Sequence, residues 1–318
     1  MKKSILITGG SGFIGSHLIA KLAADDRYNV IALLRSKSSN ERLRPFIKKI
    51  KCVYIDKEPI EKVFKTNKID VILHLATKYI KNHEKPSEVE EMIDSNVRFP
   101  SVLCDLANKY GIKYFINSGT FFEYKLGGKK KIKEGDPIAP YNFYSATKLS
   151  FSEILKYYCE NSEMKAIDFK LFAPFGENDN EKLVIFLIKS LLNGEKIEFS
   201  GGEQKWNFTY VADIVKAYIL AIEKIKKIDE NYLSINLGYD KVSSIRNLAK
   251  ILEKISGKKL NIKWGAKPYI NNEIFYVNCD NGRLKQLLKW KPDYDLKTGL
   301  EMTYRFYLGK ENNGKKGN

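Results

Sequence analysis

A chain of 318 residues with 43% apolar and 12% aromatic content is long enough for a substantial core and too apolar for a disordered polymer. No apolar run reaches the roughly 18–20 residues of a membrane helix, so no membrane partner is expected and a cytoplasmic location is. The formal charge of +17 comes from lysines spread along the whole chain, a pattern of solvated surface and not of a nucleic-acid groove.

The opening Lys3–Thr8 is a short apolar run ending in glycines, which reads as a buried strand and not as a targeting segment. A helical pattern follows over Phe13–Ala24. Further strands are expected at Val30–Leu34, Val53–Ile55, Val71–Leu75, Tyr114–Ser118 and Ala166–Phe172. A long helix is expected over Glu88–Tyr110, and a second one follows Pro140 and runs to about Glu160. Short strands alternating with helices at this spacing indicate a parallel sheet covered on both faces. Beyond Ala173 the pattern loosens, with helices near 181–193, 212–226, 243–256 and 280–288. The polar tail from Gly309 is expected to be disordered. Cys52, Cys104, Cys159 and Cys279 have no paired spacing and read as reduced thiols. The three histidines form no ligand-spaced cluster, so no metal site is expected.

Two stretches carry chemistry. Gly9, Gly12 and Gly15 form Gly-x-x-Gly-x-x-Gly between the first strand and the first helix. There glycine permits a tight turn and close approach to a pyrophosphate, and the helix presents free N–H groups. The second strand ends Leu34-Arg35-Ser36-Lys37, without the carboxylate that usually accepts the ribose hydroxyls of NAD. Arg35, with Ser36 or Lys37, suits a 2′-phosphate and hence NADP(H), unless it is an ordinary exposed arginine. Asp56, after the third strand, is either a ligand of the adenine amino group or a turn residue. The second stretch is Tyr144-x-x-x-Lys148. On one helical face their Cβ atoms lie about 5–6 Å apart. The ammonium is then expected to bring the phenol pKa down towards the range of an acid–base catalyst.

These segments resemble the extended short-chain dehydrogenase/reductases, the nucleotide-sugar epimerase/dehydratase/reductase family. The likeness runs nearly end to end. It includes Thr8–Gly15, His74-Leu75-Ala76, Asn96-Val97, Ser118-Gly119-Thr120, the Tyr144/Lys148 pair, Gln204–Asp213 and Leu288–Pro292. The resemblance implies a doubly wound Rossmann domain over 1–173 with a returning segment near 205–240, and a smaller mixed α/β lobe over 174–308 holding a nucleoside-diphosphate sugar. It implies Tyr144 as acid/base, Lys148 as its electrostatic partner and ribose ligand, and Thr120 bonding the sugar C4 oxygen. Cofactor contacts are implied at Gly9, Gly12, Phe13, Ile14, Gly15, Arg35, Ser36, Asp56, Leu75, Ala76, Ser118, Tyr144 and Lys148. A homodimer through helices 88–110 and 142–160 is implied as well.

Three departures narrow the expected reaction. Family dehydratases carry Asp-Glu after the catalytic threonine, whereas this chain has Phe121-Phe122, which disfavours elimination of water. The Arg35 loop suits a reductase consuming NADPH. Trp206-Asn207 stands where Arg-Asp is frequent and Ala173 where asparagine is, so an arginine on the diphosphate is missing. Arg283 or a lysine of the 125–133 loop is a candidate replacement, and Trp206 either stacks on the ligand or only packs. The expected activity is NADPH-dependent reduction of a 4-keto-6-deoxyhexose on a nucleoside diphosphate, as in the synthases that complete abequose, paratose or rhamnose. A nucleotide-sugar 4-epimerase is the alternative, and a non-catalytic dinucleotide-binding protein a further one.

Overall fold

The computed structural model describes residues 2–314. Seven parallel strands form the main sheet: β1 (Lys3–Thr8), β2 (Tyr28–Leu34), β3 (Lys51–Tyr54), β4 (Val71–His74), β5 (Tyr114–Thr120), β6 (Lys165–Leu171) and β7 (Tyr232–Leu237). Their spatial order is β7-β6-β5-β4-β1-β2-β3, so chain direction across the sheet reverses between β1 and β4. In open α/β sheets such a switch point is where ligands bind, at the carboxyl ends of the strands.

Side-chain alternation explains why both faces are covered. In β1, Ile5 and Ile7 enter one buried cluster and Leu6 the other; in β4, Val71 and Leu73 oppose Ile72 in the same way. The helices are α1 (Phe13–Ala23), α2 (Ile60–Thr66), α3 (Pro86–Ile93), α4 (Phe99–Lys109), α5 (Phe143–Asn161), α6 (Leu183–Asn193), α7 (Val211–Lys224), α8 (Ile245–Ser256), α9 (Gly282–Leu288) and α10 (Leu296–Gly314). Residues of α2, α4 and α5 fill one cluster; α1, α6, α7, α9 and α10 contribute to the other. A smaller aromatic cluster of Phe121, Tyr124, Phe172 and neighbours joins sheet and lobe.

Two expectations are corrected. The helix foreseen over 88–110 is broken into α3 and α4 by a π turn, Asp94–Arg98. The tail foreseen as disordered from Gly309 continues α10 as far as Gly314, its first turns held by Leu300 and Tyr304 in the core; 315–318 lie outside the described residues. Among the described residues no helix is long and apolar enough to cross a membrane, and no cluster of potential metal ligands occurs.

Candidate active site

The glycine loop is held by close approach. Gly9 has φ +68°, and a Cβ there would lie 2.5 Å from the Ala76 nitrogen; one on Gly15 would strike the Gly9 carbonyl oxygen. Gly12 donates from its N–H to Gly9 O at 3.0 Å and begins α1, where no side chain caps the first turn. Phe13 and Ile14 follow in that turn. Loop and helix together form a cradle of backbone N–H groups that fits a pyrophosphate. Thr8 Oγ1, accepting from Ala76 N at 3.2 Å and bonded to His74 Nδ1 at 2.8 Å, ties the segment with Leu75 and Ala76 to this cradle.

Along the sheet's carboxyl edge, Arg35 is exposed after β2; its carbonyl accepts from Ser38 N at 2.9 Å, and its guanidinium makes no hydrogen bond or ion pair with another described residue. Ser36 donates from its N–H to Asp56 Oδ1 at 2.9 Å and from its hydroxyl to Asp56 Oδ2, and these bonds hold the Asp56 carboxyl below its usual range. A residue not foreseen from sequence, Arg42, reaches the glycine loop: its guanidinium donates to Ser11 O at 3.3 Å and to Asn180 Oδ1 at 3.2 Å. Nothing in the local pattern around Arg42 signals a contact 31 residues back in the chain.

On the other side of the switch point stand β5 and α5. Asn142 accepts at the helix start from Ser145 N at 3.0 Å, which fixes the turn that presents Tyr144. Ser118, in β5, donates to His74 O at 3.0 Å and lies 2.5 Å from the Tyr218 hydroxyl. Thr120 ends β5, and its Oγ1 accepts from Phe122 N at 3.3 Å. Asn96, in the π turn, accepts from Thr77 Oγ1 and Lys78 N and donates to Lys78 O and Thr147 Oγ1, at 2.8–3.0 Å. It thereby fixes Thr77, which lies close enough to the Tyr144 phenol to favour its ionised form. Tyr79 packs edge-on to Tyr144 at 4.8 Å.

The electrostatics correct one expectation. The Tyr144 phenol is not lowered: burial pushes it above its ordinary value, against a smaller opposing effect of Thr77. Lys148 is buried, its ammonium donates no hydrogen bond to another described residue, and burial brings it down to about 8. For both groups, removal of the charged form from water is the dominant effect.

The wall beside Thr120 is aromatic. Phe121 and Phe122 lie with ring centroids 4.1 Å apart at a 36° tilt, Tyr141 stacks on Phe122 at 5.5 Å, and Trp206 meets both phenylalanines edge-on. The Trp206 indole donates to Ile274 O at 2.9 Å, so it packs against that segment. The nearest carboxylate in sequence, Glu123, is fully buried against Lys170. Arg283 does not replace the missing arginine: it binds Ser234 O and Glu230 at the amino-terminal half of β7. The lysine-rich loop is pinned through Ile132, which donates to Asn278 O at 2.7 Å and accepts from Asp280 N at 3.0 Å; its lysines stay exposed. Ala173 holds φ +32°, a strained value for a residue with a Cβ and one that asparagine tolerates better.

A family model described as "NAD dependent epimerase/dehydratase family" matches residues 5–238. CDP-abequose synthase from Salmonella typhimurium is 29% identical over 95% of this chain and 97% of its own length. UDP-glucose 4-epimerase from Thermotoga maritima, solved with UDP-glucose, superposes with a TM-score of 0.86 at 26% identity, over 97% of this chain and 99% of its own. A UDP-glucuronic acid 4-epimerase variant from Bacillus cereus, solved with a fluorinated UDP-sugar and NAD, gives a TM-score of 0.87 at 24% identity, covering 96% and 99%.

Proposed function

The chain belongs to the NAD dependent epimerase/dehydratase family, and from that premise we propose that it reduces the C4 ketone of a 4-keto-6-deoxyhexose carried on a nucleoside diphosphate, using NADPH. The observation that carries the reading is the pairing of Tyr144, Lys148 and Thr120 with an aromatic wall at Phe121-Phe122. Acid–base groups for a carbonyl are at hand, the two positions after Thr120 carry phenylalanine and no carboxylate, and the wall suits a deoxygenated methyl carbon. The 29% identity to a CDP-abequose synthase supports the same substrate class.

A bound nicotinamide dinucleotide supplies the hydride. Tyr144 donates its phenolic proton to the C4 oxygen as that oxygen gains charge, and Thr120 Oγ1, already accepting from Phe122 N, keeps its own hydrogen for the same atom. A phenol held above its ordinary pKa enters this step protonated, as a reduction requires. An epimerase, whose first step removes a proton, needs it deprotonated. Lys148 offers an ammonium to the ribose hydroxyls, the glycine cradle takes the pyrophosphate, and Arg35 takes the 2′-phosphate. Asp56 remains the partner of the adenine amino group. The same reading carries a cytoplasmic homodimer that pairs α4 and α5 with their copies.

The alternative, a 4-epimerase with retained NAD, is favoured by the likeness to the Thermotoga maritima enzyme. The purified protein distinguishes the two. NADPH consumed with CDP- or dTDP-4-keto-6-deoxyglucose supports reduction; NAD that co-purifies, with UDP-sugar interconversion and no NADPH loss, rejects it.

A further inference from the structure

Behind the site lies a buried ionic cluster that the reaction as described does not use. Lys170 on β6 contacts Glu123 Oε2, Asp168 Oδ2 at 2.7 Å and Ser152 Oγ at 3.0 Å, and all three charged side chains are at most 5% exposed. Such burial is costly unless each charge is paired and hydrogen-bonded, and here it is. Asp168 also accepts from Asn117 Nδ2, Ser152 Oγ and Tyr232 OH at 2.7–2.9 Å. Two threads lead from the cluster to the site. Glu123 Oε1 accepts from the Thr120 N–H at 2.8 Å, and Ser152 Oγ also bonds the backbone carbonyl of Lys148, one turn earlier in α5, at 3.1 Å.

We propose that Glu123, Asp168 and Lys170 are positioning residues for this site, fixing the Thr120 peptide and supplying the Lys148 ammonium with its counter-charge. The inference rests on the reading of Tyr144, Lys148 and Thr120 given above. Two carboxylates and one ammonium leave one negative charge, and Lys148, which has no ion-pair partner among the described residues, is the cation it serves. The other titratable groups around Lys148 stay neutral near pH 8. Burial and the Lys148 charge keep His74 on β4 well below its ordinary value; burial holds Tyr144, Tyr218 on α7 and Tyr232 on β7 above theirs. For Lys148, burial acts downward, Asp168 and Glu123 act upward, and Lys170 opposes them. Burial pushes Glu123 up; Asp168 lies low despite burial because Lys170, Ser152 and Tyr232 all favour its ionised form.

The test is NADPH affinity, read from the fluorescence of bound NADPH between pH 6.5 and 10. In the unaltered protein, affinity falls above about pH 8 as Lys148 loses its proton. Glu123→Gln keeps an acceptor for the Thr120 N–H and removes the charge, so the fall moves to lower pH by about one unit. Asp168→Asn reads the same quantity should Glu123→Gln not fold, and Glu123→Asp, which keeps the charge, leaves the fall in place. A fall at the same pH in both neutralised variants overturns the proposal, as does an unaltered protein whose affinity is flat to pH 10. Absence of NADPH binding at every pH would instead reject the proposed function.

Discussion

At residue scale the central question is whether Tyr144 supplies the proton. Tyr144→Phe removes one hydroxyl from a half-buried ring that still packs against Tyr79. Turnover is expected to fall by about a hundredfold to ten-thousandfold, with NADPH affinity nearly unchanged; full residual activity would falsify the assignment. Arg35 bears on the cofactor alone. Its guanidinium has no partner among the described residues, and a charge-assisted bond to phosphate contributes about 1.5–3 kcal/mol. Arg35→Ala should therefore lower kcat/KM with NADPH by roughly ten- to a hundredfold and leave NADH use unaffected. Equal losses with both cofactors would remove Arg35 from the 2′-phosphate site.

At the scale of elements, the glycine loop and the alternating strands were legible because each is a local pattern: a tight turn needs glycine within seven residues, and a two-sided strand is apolar throughout. The Tyr144 and Lys148 positions were legible for the same reason. Their pKa directions were not, since spacing gives proximity while burial depends on what the fold lays over the helix. Glu123 and Lys170 were missed because charged residues read as exposed, and their pairing spans 47 residues. The π turn at Asp94–Arg98 escaped because its cause is tertiary: Asn96 turns inward to bind Lys78 and Thr147. The short α2, β7 and the whole of α10 were also overlooked, the last because its lysine- and asparagine-rich end hides a buried first half. Helices α4 and α5 offer a test of assembly. Val102 is 39% and Tyr157 60% exposed, apolar surface that a homodimer would cover. Light scattering should give twice the mass of one chain for the unaltered protein and a single-chain mass for Val102→Glu with Tyr157→Glu. A monomer before substitution would end the dimer proposal.

At the scale of the whole molecule, α7 fastens the lobe and the C-terminal segment to the sheet. Asp213 accepts from the N–H groups of Asp293 and Tyr294 at 2.7 and 3.3 Å, and the fully buried Trp290 donates to Asp213 O at 2.9 Å. Burial raises the Asp213 carboxyl to about 6 despite those bonds. Because the folded value lies above the unfolded one, its stabilising contribution is complete below about pH 4 and is lost as pH rises through about 6. Urea midpoints should show the unaltered protein losing stability from pH 5 to pH 7 relative to Asp213→Asn; parallel changes would contradict the linkage. The position of β7 has a further consequence, for synthesis. Its partner β6 ends at Leu171, yet β7 begins only at Tyr232, after much of the lobe. While a ribosome is still translating residues 172–231, the nascent sheet carries an open, apolar border with unpaired peptide groups. Self-association during expression is thus expected to arise from chains stalled or truncated in that interval.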